Sequence, residues 1–262
     1  MAAHPKQRQS QLTDLLESSG ARLRLPVDLE APLPESGQIL QDRFRIDSFL
    51  GSGGMGLVFQ GKDLQTDASI VIKTLRPGAT RQELQRFVKE AGLKLPKHPN
   101  IVKSIAQFVS ASRPYYVQET VEGHNLADIL YSRQEGRSSH NPHEQGWFES
   151  SHADRRAVFA AAQVADALQE LHNQGIIHRD IKPSNLVWSP DEHAVIIDFG
   201  LALNEEDQSK SKIGNVVGTS AYLAPEILNG KVADGRSDIY SLAATLWQLL
   251  TGVPPVGLPK EG

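Results

Sequence analysis

The chain has 262 residues, 39% of them hydrophobic and 22% charged, with a formal net charge of -4. That is the mixture of an ordinary globular protein with room for one large domain or two lobes, and its slight acidity offers no basic surface for nucleic acid or an anionic membrane. Cysteine is absent, which excludes disulfides, thiolate metal sites and cysteine nucleophiles.

Residues 1–43 are rich in Gln, Ser, Pro and charge and read as a flexible N-terminal extension. Their start, MAAHPKQRQSQ, lacks the apolar core of a secretory signal. From Phe44 the pattern changes. FRIDSFLGSGG, GLVFQGKD and ASIVIKTL are short apolar or β-branched runs separated by Gly and Asp, the signature of consecutive antiparallel strands. RQELQRFVKEAGLKL has helical spacing and stops at Pro96. IVKSIAQFVS and PYYVQETV read as strands again. LADILYS starts a helix, and the polar residues 132–152 read as an insertion loop. DRRAVFAAAQVADALQELHNQG is a strongly amphipathic helix ending on Gly175. AVIIDFG is a strand. IYSLAATLWQLLTGV (239–253) is too short and too polar to span a bilayer and reads as a buried helix. A soluble, cytoplasmic chain is the expectation.

The segment GSGGMGLV holds Gly51, Gly53 and Gly56 in G-x-G-x-x-G spacing. A dinucleotide fold needs a helix after this motif, and a strand follows. GLVFQGKD also misses the Walker A loop, because Asp63 stands where Ser or Thr should meet magnesium. A glycine hairpin closing over phosphates remains, beside an ordinary flexible hairpin. Lys73, in the apolar strand IVIK, puts an ammonium at the edge of a core, where it needs a partner. Glu90 or a phosphate would serve, and a snorkelling surface Lys is the plain alternative.

HRDIKPSN (178–185) gathers polar chemistry on one turn between apolar segments. Asp180 is an acceptor for the proton of an attacking hydroxyl, and Lys182 can neutralise a transferring phosphoryl group. Asn185 offers a neutral oxygen to a hard cation, and the strand AVIIDFG delivers Asp198 as a second oxygen ligand. His178 reads as a packed scaffold residue rather than a base.

In this order the motifs resemble the eukaryotic-type serine/threonine protein kinases, and GTSAYLAPE with SDIYSLAATLWQLLTG resembles their bacterial branch. The resemblance runs from Phe44 to the end of the chain. It implies an α+β, bilobal protein kinase-like fold: an N-lobe over 44–121 with a small antiparallel sheet and one helix, and a mostly helical C-lobe over 122–262. It implies ATP and Mg2+ as cofactors and Ser/Thr residues of proteins as substrates. Asp180 becomes the base, Lys73 the anchor of the α- and β-phosphates paired with Glu90, and Asn185 and Asp198 the metal ligands. Thr219 contacts the base, and Asp238 holds the catalytic loop from behind. The nucleotide is covered by Leu50, Gly51, Ser52, Gly53, Gly54, Met55 and Gly56. Glu119 to Val121 form the hinge that reads adenine, and Val58, Val71 and Val187 sandwich the ring.

Several positions depart from the family pattern. Val71 replaces the usual Ala, and the polar Gln118 guards the back of the adenine pocket. The Glu90 helix contains Gly92, which costs a helix about 1 kcal/mol relative to Ala. The family's domain continues past TGVPP, so the C-lobe is expected to be incomplete, to expose apolar surface and to lack the Arg that pairs with Glu226. Membrane contact is expected only through a region outside this chain. Autophosphorylation is expected at Ser209 or Ser211, next to Lys210 and Lys212, with Arg179 beside the base as the residue that clasps the phosphate. The rival expectations are a catalytically silent nucleotide-binding scaffold and a small-molecule kinase of similar fold.

Overall fold

The computed structural model describes residues 27–53, 56–134, 153–200, 203–204 and 220–255. They divide into two compact units, one of residues up to Leu95 with Lys103–Thr120, the other of Pro96–Val102 with the chain from Val121 onward.

The first unit is an antiparallel six-stranded sheet in the order β1-β2-β3-β4-β6-β5. Its strands are β1 (Ile39–Leu40), β2 (Phe44–Gly53), β3 (Gly56–Asp63), β4 (Ser69–Thr74), β5 (Ser104–Ser110) and β6 (Arg113–Glu119). Alternation decides its faces. In β4, Ile70 and Ile72 enter a core with Leu40, Phe44, Ile46, Phe59 and Val117, whereas Val71 and Lys73 point the other way and are only partly buried. Helix α1 (Arg81–Gly92) starts at a capping box. The Glu83 N–H donates to the Thr80 hydroxyl at 3.2 Å, and the Thr80 N–H donates to the Glu83 carboxylate at 2.7 Å. The helix stops at Gly92, earlier than the expected Pro96, with the Leu93 N–H closing on the Glu90 carbonyl.

The flexible extension expected over 1–43 is corrected from Val27 onward. Gly37 donates to the Ile46 carbonyl at 2.8 Å and Ile46 to that of Gln38 at 2.9 Å, so β1 continues the sheet. Ala31 and Leu40 are buried. The polar composition concealed a few apolar anchors that satisfy an edge strand. Arg43, the last residue of that stretch, grips Asp63 with two bonds, at 2.9 and 2.7 Å, and lies over the Phe44 ring.

The N-lobe boundary at 121 also needs amendment, because residues 96–102 pack with the second unit. Val102 donates to the Ile196 carbonyl and Ile196 to that of Asn100, both at 2.9 Å. The expected strand IVKSIAQFVS is thus split, and only Ser104–Ser110 belongs to the six-stranded sheet.

In the second unit, β7 (His124–Asn125), β9 (Leu186–Trp188) and β10 (Ala194–Ile196) form a three-stranded sheet, and β8 (Ile176–Ile177) pairs with β11 (Leu203–Asn204). Helix α2 covers Leu126–Gln134, α3 Ala153–Asn173, α4 Pro225–Leu228 and α5 Gly235–Thr251. Helix α3 buries Ala157, Ala160, Val164, Ala167, Leu168 and Leu171, the stripe its spacing foretold. Helix α5 begins on the Asp234 capping box and ends with Gly252 in the left-handed region, at φ 78°. Leu228, Val232, Ile239, Trp247 and Val253 are exposed. No helix among the described residues is long and apolar enough to cross a membrane. Most of the expected insertion loop, 135–152, lies outside the described residues.

Asp63 is almost fully buried, and the Arg43 hydrogen bond holds its carboxyl down at about 2. Replacing Arg43 with Ala strands that carboxylate and should cost about 1–3 kcal/mol in urea unfolding at neutral pH. The Asp63 contribution is complete above its ordinary value of 3.8 and is lost as pH falls toward 2. The gap between wild type and Arg43→Ala should therefore close across that window.

Candidate active site

In the first unit, β2 and β3 turn back on each other at the glycine segment. Gly56 has φ +132°, and a Cβ there would stand 2.2 Å from the Thr74 carbonyl oxygen, so only glycine lets β3 approach β4 this closely. Gly51 and Gly53 differ. A Cβ at either would meet no protein atom within 4 Å. No contact among the described residues requires glycine at these two places, which leaves their backbone open to close approach by a ligand. Leu50, Ser52 and Gly53 are exposed and Gly51 is partly so. Gly54 and Met55 lie outside the described residues.

The sheet register places Lys73 opposite Val58 on one side and Tyr116 on the other, and Val71 opposite Gln118. Val58 and Val71 are both partly buried. The Lys73 ammonium lies 2.8 Å from the Glu90 carboxylate and 6.0 Å from the centre of the Tyr116 ring. Glu90 is 1% exposed. The pair forms despite Gly92, because Phe87, Val88 and Ala91 bury the same face of α1. Gln118 is buried and donates to the Tyr116 hydroxyl at 3.1 Å. Its polarity is met two residues back along the same strand face, and burial raises the Tyr116 hydroxyl above its ordinary range. At the end of β6, the Glu119 N–H donates to the Lys103 carbonyl and the Thr120 N–H to that of Ser69. Val121 opens the second unit.

In the second unit the turn after β8 carries HRDIKPSN. Asp238, with no exposure, accepts the backbone N–H of His178 at 2.9 Å and that of Arg179 at 2.7 Å. Arg179 has φ +69°. A non-glycine residue persists in that strained region only where its surroundings impose it, and the Asp238 carboxylate does so. His172, on α3, lies 2.8 Å from the same carboxylate. It is a supporting residue that sequence reasoning missed. Its one signal was a His three residues before the Gly that closes an amphipathic helix, which is too common to single out.

His178 is buried against the Phe199 ring, with centroids 4.9 Å apart in an edge-on arrangement. Burial pushes its imidazole below the ordinary 6.5, against the pull of Asp238, Asp180 and Asp198. A neutral, packed ring suits the scaffold role.

Asp180 carries the site's central carboxylate. Lys182 lies 2.9 Å from its Oδ2. The Asn185 amide donates to the Asp180 backbone carbonyl at 2.7 Å and to Oδ2 at 2.9 Å. Pro183 opens the 3-10 turn Pro183–Asn185 that brings Asn185 back. With its amide nitrogen committed to Asp180, Asn185 has its side-chain oxygen left, the atom a hard cation wants. Asp198 follows β10, and its Oδ1 accepts the Gly200 N–H at 3.1 Å. Among the described residues no three His, Asp or Glu side chains converge as a metal cage. One carboxylate and one amide oxygen still fit Mg2+, which keeps waters and phosphate oxygens as its other ligands. Val187, in β9, is buried.

A cavity of about 270 Å³ adjoins Lys182, lined also by Ala127, Leu130, Tyr131, Tyr222 and Gln248. Ala224, Pro225 and Glu226 lie at the start of α4. Glu226 accepts the Ser237 hydroxyl at 2.6 Å, so a described neighbour meets the carboxylate whose Arg partner was expected to be missing. Thr219, Ser209 and Ser211 lie outside the described residues.

The model of the protein kinase domain family matches residues 44–261. The chain belongs to that family. It is 35% identical over 227 residues to the serine/threonine-protein kinase PknB of Mycolicibacterium smegmatis, an alignment that takes in 83% of this chain and 34% of that protein. It is 36% identical over 219 residues to the serine/threonine-protein kinase PknJ of Mycobacterium tuberculosis, with 81% of this chain and 34% of that protein covered. The probable serine/threonine-protein kinase CE0033 of Corynebacterium efficiens is 34% identical over 228 residues, with 83% and 32% covered. The chain spans about a third of the length of these relatives.

Stability should carry the signature of the buried His178 ring. Below about 6.5 the unfolded chain takes a proton that the folded ring refuses, so stability falls as pH drops from 6.5 toward the depressed folded value. In thermal unfolding between pH 7.5 and 5, His178→Leu should flatten this slope by one proton's worth. An unchanged slope would mean that the ring is protonated in the fold.

Proposed function

We propose that this chain transfers the γ-phosphoryl group of ATP to Ser/Thr hydroxyls of protein substrates in bacterial-type signalling. The observation that carries the reading is the grouping on Asp180: one carboxylate within 3 Å of the Lys182 ammonium and of the Asn185 amide, on a turn braced by a buried aspartate. The names of the relatives point the same way.

In this reading Asp180 accepts the proton of the incoming hydroxyl, and Lys182 offsets charge on the phosphoryl group as it transfers. Lys73, held by Glu90, binds the α- and β-phosphates. Asn185 and Asp198 hold magnesium, which neutralises phosphate charge when bound. Gly51 and Gly53 let the backbone approach the phosphates closely. The Glu119 and Thr120 N–H groups already donate to the Lys103 and Ser69 carbonyls, so Val121 is the hinge residue whose N–H should read adenine. Val58, Val71 and Val187 supply the apolar faces for the ring. Thr219 takes the role that the family resemblance gives it, beside the base. A polypeptide reaching Asp180 would run over the cavity beside Lys182, which favours a protein over a small-molecule substrate. Cytoplasmic location and autophosphorylation at Ser209 or Ser211 belong to the same proposal.

Phosphate transfer from radiolabelled ATP to a generic basic protein tests it. Asp180→Asn should lower kcat by about 10²–10⁴-fold with little change in KM for ATP, and chelating magnesium should abolish transfer. Equal transfer by wild type and variant would remove Asp180 from the chemistry. No transfer by wild type, with nucleotide binding intact, would favour the silent scaffold.

A further inference from the structure

The first unit contains a buried charge that the catalytic reading does not use. Arg113, at the start of β6, is 1% exposed. Its guanidinium donates to the backbone carbonyls of Pro32, at 3.0 Å, and of Ala31 and Leu75. Two of these acceptors lie in the segment before β1, and the third is two residues past Lys73. The same segment is tied a second time, by the Asp28 N–H donating to the Ser112 carbonyl at 2.8 Å. Burial lowers the Arg113 guanidinium from its ordinary value, and the charges of Asp28 and Glu30 offset only part of this. Residues 28–32 precede the family match, which begins at residue 44.

What this strap covers gives it meaning. Leu29 packs against a cluster of Leu75, Ala79, Phe87, Ala91 and Tyr116. Phe87 and Ala91 flank Glu90 on α1. Leu75 continues the strand that carries Lys73, and Tyr116 is the register partner of Lys73. The cluster is therefore the joint between the strand of the ammonium and the helix of its carboxylate. Helix α1 has only 12 residues, with Phe87, Val88, Glu90 and Ala91 buried, so each added apolar contact weighs on its position. Removing the strap would also strip two carbonyl acceptors from a buried guanidinium, an outcome that buried charges resist strongly.

We infer that residues 28–32 form a strap, fastened by Arg113, that holds α1 so that Glu90 stays on Lys73. Leu29 and Arg113 are positioning residues: neither touches nucleotide, and both act through Glu90. A kinase that depends on this strap has its phosphate anchor set by chain lying outside the family domain. The part that concerns activity rests on the function proposed above. The part that concerns α1 does not.

Two measurements on the full chain test it, with Leu29→Asp as the main variant and Leu29→Ala as a milder one in case the first folds poorly. In hydrogen exchange, amides of residues 81–92 should exchange faster in the variant, while those of β2 and β3 keep their wild-type rates. In kinetics, Leu29→Asp should lower kcat/KM for ATP by about fivefold or more, and the loss should vanish when the same change is made in a Glu90→Gln background. Unchanged exchange in 81–92 would overturn the strap. An equal loss in both backgrounds would make Leu29 merely structural and would overturn its action through Glu90. A wild-type chain that transfers no phosphate would sink the proposed function alone, since exchange still decides whether the strap holds the helix.

Discussion

A single buried carboxylate underlies the catalytic turn of the second unit. Asp238 has no exposure and takes two consecutive backbone N–H groups from the start of HRDIKPSN. A charge in that position is tolerated only because donors surround it, and those donors are available only if the backbone at Arg179 accepts φ +69°. Burial and strain thus stabilise each other. The bend at Arg179 sets where Asp180 begins, and Asp180 in turn positions Lys182 and Asn185 through its own carboxylate. His172 and the packed, neutral His178 brace the arrangement.

The first unit follows the same logic with opposite materials. Lys73 and Glu90 form an ion pair that is 13% exposed on one side and closed on the other. Such a pair adds little net stability once its desolvation is counted, so its value lies in specifying where α1 sits. The apolar joint around Tyr116, extended by Leu29 and locked by the buried Arg113, supplies the stability that the pair does not. Gln118 belongs to the same economy. Its buried polar side chain is acceptable because Tyr116 gives it a partner.

Much of this was legible in the chain itself. The alternation in IVIK separates Ile70 and Ile72 from Val71 and Lys73, and the stripe of α3 follows from its spacing. The chemistry of HRDIKPSN and AVIIDFG can be read from residue type and order. Other features were hidden. Composition suggested a loose extension before Phe44, yet Leu40, Ala31 and Arg43 each meet a specific partner there. The run IVKSIAQFVS looked like one strand, but its first residues pair with Ile196, far along the chain.

The sequence by itself determined the elements, the chemical groups and the order in which they appear, because periodicity, turn residues and functional-group chemistry act over a few neighbours. Only the tertiary structure decided which polar groups removed from water would meet. Arg113 with the carbonyls of residues 31 and 32, His172 with Asp238, and Ser237 with Glu226 are pairings across long or irregular separations. A polar group removed from water takes whichever partner the packed core brings within reach, and no local pattern records that choice.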